Sequence, residues 1–71
     1  MQTAEQGVTL TVREVECLDA LAEGLDSLGI ARKLNISVPT VMMHITNARK
    51  KLHAKTREHA IAIALRSGLL K

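Results

Sequence analysis

The side chains of this chain that could do chemistry crowd between Pro39 and His53. Set on a helix at about 100° per residue, Pro39, Met42, Met43, Thr46, Asn47, Arg49, Lys50 and His53 fall on one face. That face carries no acid, two adjacent methionines, two small polar groups and then bases, part of the run Arg49-Lys50-Lys51 that can hold a phosphate backbone. A solvated helix face normally mixes both signs of charge. This one suits an anionic partner, which its bases would attract and its methionines would touch through apolar contacts. Methionine also suits adaptable protein-binding surfaces, so a protein partner competes with that reading.

Other reactive side chains are few. Cys17 is the one cysteine, so no internal disulfide or cysteine-based zinc site can form, and a reducing compartment such as the cytoplasm is expected. Cys17 itself reads as a small core or boundary residue. His53 and His59 flank a turn and read as solvated, and His44 lies off the apolar stripe of its helix. The sequence holds no Ser/His/Asp or Cys/His arrangement, no pocketed carboxylate pair and no phosphate-cradling glycine loop. A chain of 71 residues also has little room for a ligand pocket of usual size. No enzyme activity, cofactor, metal or small-molecule ligand is expected. The chain has no Trp, Tyr or Phe, which argues against domains that stack bases on aromatic platforms. No apolar run approaches the roughly 20 residues of a membrane span, and no signal peptide is visible.

The helix that bears this face begins with good signals. Ser37 suits the N-cap, and Pro39 falls in the first turn, where a missing N–H costs nothing. Val41, Ile45, Ala48 and Leu52 form its apolar stripe. Upstream, Thr11 and Glu14 read as a capping box, with Leu10 and Val15 as a hydrophobic staple. They open a first helix whose inner stripe is Val15, Leu18, Leu21, Ala22 and Leu25, with Glu14, Glu16, Asp19 and Glu23 outward. Gly24 ends it. Asp26 caps a short second helix that turns Ile30, Ala31 and Leu34 inward, and Asn35 suits the left-handed turn after it. Gly29 weakens this second helix by about 1 kcal/mol relative to alanine. Thr56 caps a fourth helix ended by Gly68. Ile61, Ala64, Leu65 and Gly68 share one of its faces, while Ala60, Ile63 and Ser67 lie on another flank, as expected if a second copy packs there. The expected fold is all-α, with four helices at about 11–23, 27–34, 38–52 and 57–67. Residues 1–9 are expected to be a flexible segment or linker end, and 10–71 the folded domain.

Net charge is +3, but it is unevenly placed. Residues 1–26 hold six acids and one base, net −5, whereas residues 27–71 hold nine bases and one acid, net +8. Positive charge gathered in one part of a small domain fits nucleic-acid binding. It fits a solvated basic surface or an acidic protein partner as well.

Two helices joined by Asn35-Ile36-Ser37 read as a helix-turn-helix, with apolar Ile30, Leu34, Ile36, Val41 and Ile45 at the packing positions and small Ala31 at the crossing. The stretch LTVREVECLDALAEGLDSLGIARKLNISVPTVMMHITNARKKL, followed by KTREHAIAIALRSGLL, resembles the LuxR-type (GerE-like) DNA-binding domain from about Val8 to Leu70. The matches run in register: Leu10-Thr11, Arg13-Glu14, Ala22 and Gly24, Ile30-Ala31, Leu34, Ile36-Ser37, Thr40-Val41, His44, Asn47, Lys51-Leu52, Arg57, Ala60 and Gly68-Leu69-Leu70. Asn47-Ala48-Arg49 and the Ile-Ala-rich last helix look more like the acyl-homoserine-lactone-responsive, quorum-sensing branch.

The resemblance implies a bacterial transcription regulator that binds double-stranded DNA sequence-specifically. It would do so as a homodimer on an inverted repeat, with the third helix in the major groove and the fourth at the dimer contact through Ala60, Ile63 and Ser67. Base edges would meet Met42, Met43 and Thr46. Phosphates would meet Ser27, Lys33, Thr40, Asn47, Arg49 and Lys50. His44 would be a packed, hydrogen-bonded structural histidine. RNA polymerase is a further expected partner, and the nucleoid an expected location. Two departures from the family pattern stand out. Met42 and Thr46 stand where basic residues are usual, and Gly29 stands where Glu is usual, which leaves the rigidity of the second helix open. The first departure also supports an alternative, a protein-interaction module that modulates a full-length regulator by heterodimerisation. Most members carry a sensor domain ahead of this one, so a C-terminal effector domain is the expectation over a free-standing regulator.

Overall fold

The computed structural model describes residues 9–70, and residues 1–8, read above as a flexible segment, lie outside the described residues. Four helices follow one another: α1 (Val12–Ala22), α2 (Ser27–Leu34), α3 (Val38–Lys51) and α4 (Arg57–Arg66). Among the described residues there is no strand. The expected boundaries hold to within a residue at each end, because every start and three of the four ends carry a chemical signal of their own.

All four starts use one device. Thr11, Asp26, Ser37 and Thr56 sit in extended backbone, and their side-chain oxygens accept the N–H groups of Glu14, Gly29, Thr40 and His59. Each satisfies a donor that the first helical turn leaves without a partner. At Thr11 the box is reciprocal, since the Thr11 N–H donates to Glu14 Oε1 at 2.9 Å.

The four ends also share a device. Gly24, Asn35, His53 and Gly68 all take positive φ. The next residue in each case turns its N–H back to a carbonyl of the last turn: Leu25 to Ala20, Ile36 to Ala31, Ala54 to Arg49 and Leu69 to Ala64, at 2.9–3.2 Å. These four following residues are apolar and pack into the core clusters. Glycine or asparagine marks three of the ends in the sequence, but His53 does not read as one. At φ 55° its Cβ is strained, and the side chain is exposed. His53→Gly is therefore expected to stabilise the fold by about 0.5–1 kcal/mol, the relief of left-handed strain less glycine's extra freedom in the unfolded chain. A thermal melt should move up by a few degrees, and a lowered midpoint would contradict the assignment.

The core is aliphatic and has two parts. One joins Leu10, Leu18, Ala48, Leu52, Ala54, Ala60, Ala64 and Leu70, with Val15 packed against it as the staple requires. The other joins Cys17, Ala20, Ile30, Ala31, Val41 and Ile45. Helix α3 contributes to both and packs on each of the other three helices. Its apolar stripe is thus the spine of the domain, and its opposite face is left free.

The structure corrects several side-chain placements. Glu14, expected outward, is only 3 % exposed, because α1 rolls it toward the last turn of α3. Ala22, expected inward, is exposed because the chain turns away there, while Cys17 and Ala20 supply the buried surface. On α4, Leu65 is 47 % exposed, whereas Ala60 is fully buried. An alanine carries α4 close against Leu18 and Ala48, so Ala60 is a core residue with no surface to offer a second copy. Gly29 has a local reason: a Cβ there would lie 2.9 Å from Leu25 Cδ2 and 3.3 Å from Asp26 Oδ1. The Leu25 side chain occupies the space a larger residue would need, and the Asp26 cap at 2.8 Å holds the turn.

Candidate nucleic-acid interface

Burial of Val41, Ile45, Ala48 and Leu52 turns the opposite side of α3 toward solvent. Met42 and Met43 are 55 % and 50 % exposed, large values for apolar side chains that a core could have taken. Thr46, Asn47 and Lys50 are exposed beside them. The expected face therefore exists as one continuous surface, with no acid on it.

The basic run divides three ways. Arg49 lies half-buried on one flank, where Nη1 donates to the Ala54 carbonyl at 3.0 Å. Together with Met42, Ile45, Thr46 and Arg57 it lines a notch of about 60 Å³. Lys50 points outward. Lys51 turns to the other flank and donates to both Glu14 oxygens, at 2.9 and 3.1 Å. Lys51 thus has a carboxylate partner on α1, contrary to its place in the basic run. Arg57 was not among the candidate site residues. It opens α4, and only the α3–α4 turn, tied down by His53 and by the Lys55 N–H donating to His59 Nδ1 at 3.1 Å, brings it beside Arg49. His59 is therefore part of that turn and not simply solvated. No spacing in the sequence signals the Arg49–Arg57 approach.

The other candidates are placed less directly. Lys33 is exposed but pairs with Glu23 at 3.1 Å. Ser27 and Thr40 are half-buried, and the Thr40 hydroxyl shares a hydrogen bond of 2.8 Å with Ser37. His44 is half-buried on the α1 flank, and among the described residues its ring makes no hydrogen bond, unlike the expectation. Among the described residues no three His, Cys, Asp or Glu side chains gather as a metal site, and no helix is long and apolar enough to cross a membrane. An open groove of about 620 Å³, larger than a chain this short was expected to hold, runs past Leu28, Ser27, Val38 and Arg57.

Electrostatics tie the two ends of the molecule together at Glu14. Burial alone would raise its pKa. The Lys51 hydrogen bond, the Thr11 N–H and the charges of Lys51 and His44 outweigh that, and the carboxyl titrates below its ordinary value of 4.5. A lowered pKa means the folded state prefers the charged form. Its stabilisation is complete above the unfolded value and is lost as pH falls through the folded one. The urea midpoint should therefore drop as pH falls below about 4.5, and drop less in Glu14→Gln; equal acid sensitivity of the two proteins would contradict this. At Cys17, burial pushes the thiol pKa up, so it is held as an unreactive core group.

Comparison with known proteins places this geometry. The model of the family "Bacterial regulatory proteins, luxR family" matches residues 8–64. The chain is similar to the transcriptional activator protein VanR of Vibrio anguillarum, 43 % identical over 67 residues, which are 94 % of this chain and 28 % of VanR. The solved structure of the transcription factor GerE superposes with a TM-score of 0.84 at 34 % identity, covering 99 % of this chain and 97 % of that one. A dimeric LuxR-type receptor, VqmA of Vibrio cholerae, superposes with a TM-score of 0.84 at 32 % identity, over 99 % of this chain and 33 % of VqmA. The chain spans about a third or less of the length of the curated relatives it matches.

Proposed function

The chain belongs to the luxR family of bacterial regulatory proteins, as a DNA-binding domain of a transcription regulator and not an enzyme, and from that premise we propose how it reads DNA. Helix α3 lies in the major groove of double-stranded DNA, and two copies occupy the halves of an inverted repeat. The observation that carries this reading is the exposed, acid-free face of α3 bordered by two arginines of different helices. Met42, Met43 and Thr46 meet base edges. Asn47, Lys50 and Arg49 meet phosphates, with Ser27 and Thr40 nearer the rim, and Arg57 joins Arg49 there. Lys33 reaches a phosphate only by leaving Glu23. Methionine makes apolar contacts and suits a thymine methyl, whereas a guanine edge is best read by Arg or Lys. Phosphate attraction and DNA shape therefore carry a large share of the affinity.

Dimer contact falls on α4 and its C-cap, where Ile63, Leu65 and Ser67 have surface to offer. VqmA, described as a dimer, supports that assembly. A reducing bacterial cytoplasm, association with the nucleoid, contact with RNA polymerase and a quorum-sensing role fit the same reading. The heterodimerising modulator keeps one observation in its favour, the lack of a basic reader at Met42 and Thr46.

Footprinting on promoter DNA across a salt series tests the proposal. Two protected half-sites and a steep fall of affinity with salt are expected. Lys50→Ala should weaken all sequences alike and lower the salt slope by about one. A flat salt response sinks the phosphate contacts, and a footprint only with a second regulator present favours the modulator.

A further inference from the structure

One carboxylate joins the first turn of α1 to the last turn of α3. Glu14 Oε1 accepts the Thr11 N–H at 2.9 Å, and both oxygens accept the Lys51 ammonium at 2.9 and 3.1 Å. The carboxylate is almost fully buried, and the lysine stem is the half-exposed partner. Lys51 is the last residue of α3, on the flank away from the Arg49 notch. A short link at the end of a helix controls how that helix rolls about its own axis, and roll decides which side chains face the partner. The lysine would otherwise follow Arg49 and Lys50 as a third base without a carboxylate partner.

We infer that Glu14 is the positioning residue of the recognition helix: by gripping Lys51 it fixes the roll of α3 against α1 and withholds one positive charge from the DNA-facing surface. This rests on the DNA-binding reading above. It assigns a task to a half-buried ion pair that lies outside the proposed interface. A free third base would add a phosphate contact that carries no sequence information. The pair therefore favours discrimination over raw affinity.

The separating variant is Glu14→Gln. Glutamine at the third helical position can still accept the Thr11 N–H, so the capping box survives while the charge is lost. Two measurements on the 71-residue chain decide the matter. Residual dipolar couplings on the free protein read the orientation of α3 relative to α1. Competition between an operator fragment and random duplex reads the ratio of specific to non-specific affinity. In Glu14→Gln the couplings of α3 should depart from those of wild type while α1 keeps its own. Random-duplex affinity should rise about three- to ten-fold at low salt, and the operator preference should fall by a similar factor. Adding Lys51→Met should return random-duplex affinity to the wild-type level, and Lys51→Arg alone should behave as wild type. Unchanged α3 couplings in Glu14→Gln overturn the inference, as does a gain in random-duplex affinity that survives Lys51→Met. Should wild type prefer no duplex at all, the DNA-binding reading falls instead, and the couplings still decide the positioning role.

Discussion

Replacing Met42 with arginine is expected to create a guanine preference at one position of each half-site, by about 5- to 150-fold over the other bases. Met42 is exposed on the face of α3 that carries no acid. A thioether has no donor to offer and cannot distinguish a guanine edge, whereas a guanidinium donates to O6 and N7 together. Each such pair supplies about 1–3 kcal/mol of discrimination. Thr46, one turn on, is small and leaves the longer side chain room. Arg49 and Arg57 border the same notch, so the new charge meets two like charges. That repulsion is screened by solvent at an exposed site and falls further once phosphates arrive. The measurement is competition binding against a set of operators varied one base pair at a time. A uniform gain across all variants would mean that position 42 faces the backbone, and the assignment of Met42 to a base edge would be withdrawn.

Ile30→Ala is expected to have the largest effect on stability, a loss of about 2–5 kcal/mol. Ile30 has no exposed surface and sits with Cys17 and Ala20 of α1 and Val41 and Ile45 of α3. Those neighbours are short and branched or small, and none can swing into the space. A domain of this length is held by about 4–11 kcal/mol in all. The thermal midpoint should therefore fall by about 10–30 °C, and a fraction of the molecules should unfold at growth temperature. Leu28→Ala on the same helix is the control. Its side chain is half exposed, and the change should cost less than about 0.5 kcal/mol. Equal losses from the two variants would mean that the second core cluster is not what holds α2.

How far the sequence can be read depends on how local the cause is. Thr11, Asp26, Ser37 and Thr56 satisfy N–H groups three residues away, so their roles are legible without any tertiary knowledge. Gly24, Asn35 and Gly68 are legible as helix ends because few residue types tolerate positive φ. His53 escapes this reading, since histidine favours positive φ less plainly than glycine or asparagine and the turn imposes the conformation. The stripe of α3 is legible because its four apolar residues are long-range contacts in space but a simple period in sequence.

Side chains near the boundary of a helix face are where periodicity runs out. Glu14 has a charge, which argues for solvent, and only the approach of Lys51 from the end of α3 makes its burial affordable. Ala60 is small enough to read as surface or core, and the close passage of α4 over Leu18 and Ala48 decides for core. Arg57 meets Arg49 only because the α3–α4 turn folds one helix start back onto another helix's flank. The sequence by itself determined the four helices, their starts, three of their four ends, the family and the bare face of α3, because the helix signals and the face follow from contacts within a turn or two of chain. The tertiary structure alone decided which bases that face keeps, Arg49 drawn to one flank and Lys51 to the other, because a charge goes to the partner that packing brings within reach.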